Sequence, residues 1–345
     1  MLAGGIVVSN AGRARSLSRR VLLAGTLAGC AAKRVPMGVA IREPVMEAAS
    51  LEGGRFVMAD GAVLPYRVWM PPQPTIVLLA LHGYNDSRDA WEIPAPEFTK
   101  ADIGIVAPDQ RGFGAAPGRG LWAGTDTMVA DAAAMARLVA ARYPAARFAV
   151  MGESMGGAVA MVAAARGLFA PDTPLVLSAP AVWGRQQMNV VMRAGLWMMG
   201  HLLPWASSGR SPVPIRASDN RAALEALFKD PLTLRTARFD TLTGLVKLMS
   251  TAQDAAARLP PPALFLYGAH DQLVPKTAML AVWRTVPPGV ARFCYFRNGW
   301  HLLLRDHDRV RVIGDIVAWL NNPRARLAGE AAAAGLLAAR YPALD

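Results

Sequence analysis

Residues 149–161 read AVMGESMGGAVAM, a serine set between glycines with an apolar run before it and an alanine-rich one after it. Gly152, Gly156 and Gly157 let the chain turn more tightly than side chains permit, and Ser154 rides at the apex. A strand, a sharp turn and a helix in this order form the context of a GxSxG elbow, which exposes a serine hydroxyl above a sheet. The motif is short enough to arise by chance in a glycine-rich chain. The remaining sequence must therefore supply the base, the carboxylate and the anion-binding amides that a serine nucleophile needs.

The context is met on both sides. RFAVMG (147–152) enters the turn as an apolar strand, and MGGAVAMVAAARG (155–167) leaves it as a helix. Further out, TIVLLALHG (75–83), IGIVAPD (103–109), PLVLSAP (174–180), PALFLYG (262–268) and ARFCYF (291–296) are apolar on both faces. Strands of a parallel sheet covered on each side have this pattern. RFVMAD (55–60) and VLPYRVWM (63–70) flank Asp60-Gly61, a hairpin signal. Helical patterns over 125–142, 155–166, 275–286 and 306–320 alternate with the runs, which predicts an α/β class with a mostly parallel, doubly wound sheet. Between 184 and 258 the alternation lapses, and a structureless loop of that length does not suit a compact domain. The interval is expected to be an inserted helical cap, opening with the nearly all-apolar MNVVMRAGLWMMGHLLPW (188–205). The expected core is then 51–183 and 259–322, with 30–50 as linker and 323–345 as an alanine-rich tail.

A serine hydroxyl needs a base within reach, and the base needs a carboxylate to orient it. Of the five histidines, His301 follows the last predicted strand on a loop before a helix. Asp271 follows PALFLYG, so Ser154, Asp271 and His301 stand in the chain order of an α/β-hydrolase triad, each at a strand's carboxyl end. His201 lies on the apolar insert and is expected to pack, and His307 falls in the last predicted helix. His270 as base would leave no acid at a suitable strand end, whereas Asp240 and Asp254 remain alternatives to Asp271 by order alone. The oxyanion needs two amides in place beforehand. Met155 supplies one, and the other is expected after His82-Gly83, at Tyr84.

Composition narrows the classes. A 53% hydrophobic, 18% charged chain of 345 residues is globular and long enough for a large domain with an insertion. Of the net charge of +12, four come from Arg13, Arg15, Arg19 and Arg20, where no acid precedes residue 30, leaving +8. That excess is carried by arginine in an Ala-, Gly- and Pro-rich chain without zinc spacing, a Walker loop or a basic stretch interleaved with aromatics, so no nucleic-acid partner is expected. No metal or organic cofactor is implied. Cys30 and Cys294 are the only cysteines, which excludes a disulfide framework.

LHGYNDS (81–87), APDQRGFGAAPGR (107–119), GESMGG (152–157), YGAHDQLVP (267–275) and GWH (299–301) together resemble the monoacylglycerol lipase and lysophospholipase branch of the α/β-hydrolases. The resemblance implies the α/β-hydrolase fold, with Ser154 as nucleophile, Asp271 as orienter, His301 as base, and the amides of Tyr84 and Met155 for the oxyanion. It implies a cap over the nucleophile, where Met188, Met192, Trp197, Met198, Met199 and Leu202 would bind an acyl chain. The expected activity is hydrolysis of lipid-like carboxylic esters. An acyltransferase with the same triad and a non-catalytic lipid-binding lipoprotein are the alternatives.

At the N-terminus, RARSLSRR precedes the apolar run Val21–Ala28, too short to span a bilayer and suited to a secretory signal. Leu27-Ala28-Gly29-Cys30 resembles the lipobox of bacterial lipoproteins, and Ser18-Arg19-Arg20-Val21-Leu22-Leu23 resembles a twin-arginine signal. Residues 1–29 are then a signal peptide and Cys30 a lipidation site. This implies a membrane-anchored protein of the bacterial cell envelope, facing the periplasm; without a signal the protein would be cytoplasmic.

Overall fold

The computed structural model describes residues 42–50, 53–208 and 215–339. The export signal and Cys30 lie outside the described residues. In chain order the elements open with strands β1 (Val45–Ser50), β2 (Gly53–Val57), β3 (Val63–Trp69) and β4 (Ile76–Leu81), then helix α1 (Ala95–Thr99) and β5 (Ile103–Pro108). Helix α2 (Thr125–Arg142), β6 (Arg147–Glu153), α3 (Met155–Ala165) and β7 (Leu175–Ser178) follow. The insert holds α4 (Val190–Leu202), β8 (Ser207–Ser208), α5 (Arg221–Lys229), β9 (Ala237–Arg238) and α6 (Phe239–Ala255). The chain returns through β10 (Ala263–Gly268), α7 (Lys276–Thr285), β11 (Ala291–Phe296), α8 (Arg309–Asn321) and α9 (Glu330–Ala338).

Among the described residues nine strands make one sheet in the order β1-β2-β3-β5-β4-β6-β7-β10-β11. β1, β2 and β3 pair antiparallel, β3 meets β5 antiparallel, and all pairs from β5 to β11 are parallel. The period-2 pleat sorts each central strand into two cores. Along β4, Val77, Leu79 and Leu81 join the core under α2, α3, α6 and α7, while Ile76, Leu78 and Ala80 join that under α1 and α8. Each such fully buried aliphatic side chain contributes roughly 1.5–3 kcal/mol before chain entropy is subtracted. All the parallel strands point their carboxyl ends to one edge, which is where the loops of interest gather.

Three expected boundaries shift. Residues 45–50 of the expected linker are β1, registered against β2 with Val45 opposite Val57. The cap does not extend to 258, because α6 buries Val246, Leu248, Met249, Ala252 and Ala255 in the core beneath the sheet. It is the crossover helix that two parallel neighbours, β7 and β10, require. The tail also docks: Asp315 accepts from the amides of Ala328 (2.7 Å) and Gly329 (2.9 Å), Tyr295 N donates to Gly329 O (3.0 Å), and Ala333 is buried. The last helix of the core begins at Arg309, which leaves His307 before it on an exposed turn.

Candidate active site

Between β6 and α3 the backbone is held in a conformation that L-residues avoid: Ser154 has φ +52° and ψ −114°. Such a conformation costs about 1–3 kcal/mol and persists only where its surroundings over-determine it. Here Ser154 N donates to Ser178 O (3.0 Å), Ala181 N to Ser154 O (2.8 Å), and Gly156 N to His82 O (3.1 Å). A Cβ at Gly156 would stand 2.2 Å from Leu81 O, so only glycine lets the elbow press against the end of β4. The N-terminus of α3, with its partial positive charge, opens at this serine.

The expected acid and base meet. His301 Nδ1 donates to Asp271 Oδ2 at 2.8 Å, with side chains 4% and 0% exposed. Asp271 is aimed by its own loop, since Oδ1 accepts from Leu273 N (2.8 Å) and Val274 N (2.9 Å). A Cβ at Gly268 would lie 2.4 Å from Gly299 O, so that glycine allows the acid and base loops their close approach, sealed by His270 N donating to Gly299 O (2.9 Å). Burial pulls the proton affinity of His301 down, but the charge and hydrogen bond of Asp271, with the charge of Glu153, outweigh it; the pKa is raised above 6.5. Neither Ser154 Oγ nor His301 Nε2 makes a hydrogen bond among the described residues, which leaves that nitrogen's lone pair unengaged. The base loop is braced by Asp306, which accepts from Trp300 N (2.7 Å) and Ser218 Oγ (2.5 Å), and whose carboxyl burial pushes up to about 6.

The alternatives to this pair are occupied elsewhere. Asp240 pairs with Arg238 (2.6 Å) and Asp254 accepts from Gln186 (3.2 Å). His270 packs tilted against Trp300, and His201 stacks on Trp197. Cys294 is buried, which pushes its thiol well above the usual range and makes it inert packing.

The loop after β4 carries Tyr84. His82 Nε2 accepts from Gln110 N (3.0 Å), which assigns the ring proton to Nδ1 and its donation to Gly83 O (2.8 Å). Gln110 Nε2 returns a bond to His82 O (2.7 Å), so the turn Asp109-Gln110-Arg111-Gly112 supports the end of β4. From the other side, Tyr84 Oη meets Thr241 Oγ1, Leu234 N donates to Asn85 O (2.8 Å), and Ser87 Oγ donates to Asp230 (3.1 Å). The backbone amides of Tyr84 and Met155 form no hydrogen bond among the described residues.

Residues 72–308 match the family described as Hydrolase_4: Serine aminopeptidase, S33. The chain belongs to this family. Among curated proteins this Hydrolase_4 member is similar to the monoacylglycerol lipase of Mycolicibacterium smegmatis, 24% identical over 77% of this chain and 95% of that protein. It is also similar to the monoglyceride lipase of Rattus norvegicus, 25% identical over 77% and 89%. Among solved structures, a soluble variant of monoglyceride lipase from Saccharomyces cerevisiae with a substrate analogue aligns at a TM-score of 0.65 and 16% identity, covering 85% of this chain and all (100%) of that one. The last likeness concerns the fold alone, that of an α/β-hydrolase.

Of the expected acyl-binding residues of this Hydrolase_4 chain, Met188 packs against the body core and Met199 is half-buried. Met192, Trp197, Met198 and Leu202 are 41%, 57%, 47% and 59% exposed. These four are not gathered into an enclosed tunnel. The reason is periodicity: α4 is apolar nearly all round, but only the stripe through Gly200, where a Cβ would meet Thr243 at 2.5 Å, faces α6. Sequence reasoning missed a buried cluster beneath the elbow, in which Arg305 joins Asp86 and Glu153. One signal was readable: Glu153 is a carboxylate at the end of an apolar strand, and a buried charge demands a partner.

Proposed function

We propose that the protein hydrolyses carboxylic esters of lipid-like substrates, of the monoacylglycerol or lysophospholipid type, through an acyl-enzyme on Ser154. The protein is a carboxylic ester hydrolase. The observation that carries the mechanism is the buried His301–Asp271 contact in the same set of strand-end loops as a strained serine elbow. Ser154 Oγ attacks the ester carbonyl carbon while His301 Nε2 takes its proton, and the negative charge on the former carbonyl oxygen rests on the amides of Tyr84 and Met155. The ester C–O bond breaks as His301 returns the proton to the departing alcohol. Water, deprotonated by the same nitrogen, then attacks the acyl carbon, releasing the carboxylic acid and restoring Ser154. Asp271 stays ionised throughout and holds the imidazole in the tautomer that leaves Nε2 free.

The exposed apolar face of α4 supports a lipid-facing cap: Val190, Val191 and Trp197 are 77%, 80% and 57% exposed. Export and lipidation at Cys30 would hold that face near a membrane of the cell envelope. No described helix is long and apolar enough to cross a membrane.

The test is a p-nitrophenyl ester series from two to sixteen carbons, with monoacylglycerol alongside, run on wild type and Ser154→Ala. Turnover by the wild type alone, rising with chain length, is the expected result. Turnover retained in the variant would overturn the reading. Adding an alcohol acceptor separates hydrolysis from acyl transfer by its product.

A further inference from the structure

Three segments of the chain meet beneath the elbow at one side chain. Arg305, four residues beyond His301 and 4% exposed, directs Nη2 at both Glu153 Oε1 (2.5 Å) and Asp86 Oδ2 (2.6 Å). Glu153, 2% exposed, directly precedes Ser154; Asp86, 5% exposed, lies two residues past Tyr84. Two further hydrogen bonds extend the tie: Asn220 Nδ2 donates to Arg305 O (2.9 Å), and Leu302 N donates to Ala217 O (2.9 Å), so the base loop is also fixed to the segment leading into α5.

Stability alone does not favour this set. Buried ion pairs are often no better than apolar packing of the same volume. Here two carboxylates share one cation, and Arg305 Nε has no hydrogen-bond partner among the described residues. A bidentate pair would have used two nitrogens on one carboxylate. A single nitrogen bridging two carboxylates instead fixes the distance between their parent segments.

We propose that Arg305 is a positioning residue for ester cleavage: it clamps the His301 loop to Glu153, and so to Ser154, and to Asp86, and so to the loop bearing the Tyr84 amide. The proposal rests on the acyl-enzyme reading above. It explains why the base loop keeps register with Ser154, which lies far from it in the chain. The same set tunes the base, because the charge of Glu153 raises the proton affinity of His301 and that of Arg305 lowers it.

The experiment measures kcat, KM and the pH profile of p-nitrophenyl butyrate hydrolysis for the full-length wild type, Arg305→Met, Arg305→Lys and Glu153→Gln. Arg305→Met should lose about 10²-fold in kcat with KM within about threefold, the signature of displaced reacting groups. Arg305→Lys, which restores the cation, should recover about tenfold of that loss. Glu153→Gln keeps the volume and an oxygen for Nη2, and should move the acid limb of kcat/KM to lower pH. A kcat for Arg305→Met within twofold of wild type, or an acid limb unmoved in Glu153→Gln, would overturn the proposal. Should Arg305→Met fail to fold, the Glu153→Gln limb decides. A wild type inactive on every ester overturns the acyl-enzyme reading itself, whereas an active wild type with unaltered variants overturns only the role of Arg305.

Discussion

The loops at the carboxyl ends of β4, β6, β10 and β11 and the inserted helix α4 are organised in opposite ways. In the loops His82, Asp86, Glu153, His301 and Arg305 are all at most 5% exposed, and their hydrogen bonds join segments distant in sequence. In α4 no residue is fully buried, and its N-terminal cap is a local bond, Met192 N to Asn189 Oδ1 at 2.8 Å. Groups whose distances must hold during bond making are over-determined. The element proposed to meet a variable chain is anchored along one stripe and presents the rest of its apolar surface outward.

Substitutions in the first region should therefore act on chemistry. Ser154→Ala should lower kcat/KM for a p-nitrophenyl ester by about 10⁴- to 10⁶-fold with the unfolding temperature retained. Asp271→Asn should cost about 10³- to 10⁴-fold, because the imidazole loses its orienting charge and its tautomer. That variant also sharpens the comparison through pH. On the proposed mechanism His301 must be neutral to act, and its pKa is raised, so the acid limb of kcat/KM should have its midpoint above 6.5. In Asp271→Asn the midpoint should move down, since the largest raising influence is gone. Stability runs the other way: the contribution of protonated His301 is complete below its unfolded value and fades as pH rises through its folded one. Urea titrations of wild type and His301→Gln across that window check the sign.

Much of the first region was legible. Parallel strands buried on both faces give uninterrupted apolar runs, and Ser154, Asp271 and His301 each stand where such a run ends. The second region was less so. The crossover helix α6 and the outer helix α4 carry the same local helical pattern, and only the tertiary partner separates them. A uniformly apolar α4 has no phase from which to read its buried side, and Met192, Trp197, Met198 and Leu202, which the resemblance implied would bind an acyl chain, stand exposed. The ties of Arg305 span 219 and 152 residues, and no sequence pattern of short period reports a contact of that range.

Smaller effects test the boundary between the regions. Gly268→Ala places a Cβ 2.4 Å from Gly299 O, which should destabilise the fold by about 1–3 kcal/mol and lower kcat, as the acid and base loops are forced apart. Thermal unfolding beside steady-state kinetics checks this. Trp197→Ser on α4 should change stability by at most about 0.5 kcal/mol and leave a short, soluble ester unaffected. It should reduce turnover of a long-chain ester presented in micelles. Equal losses on both substrates would mean that α4 belongs to the chemical region after all.

The central claim is that Ser154 is an activated nucleophile, and intact-mass spectrometry after treatment with a fluorophosphonate tests it most directly. The account predicts one adduct on the wild type, mapped to the peptide bearing Ser154, and none on Ser154→Ala. A folded wild type that stays unmodified, or a Ser154→Ala chain that still takes the adduct, would contradict it.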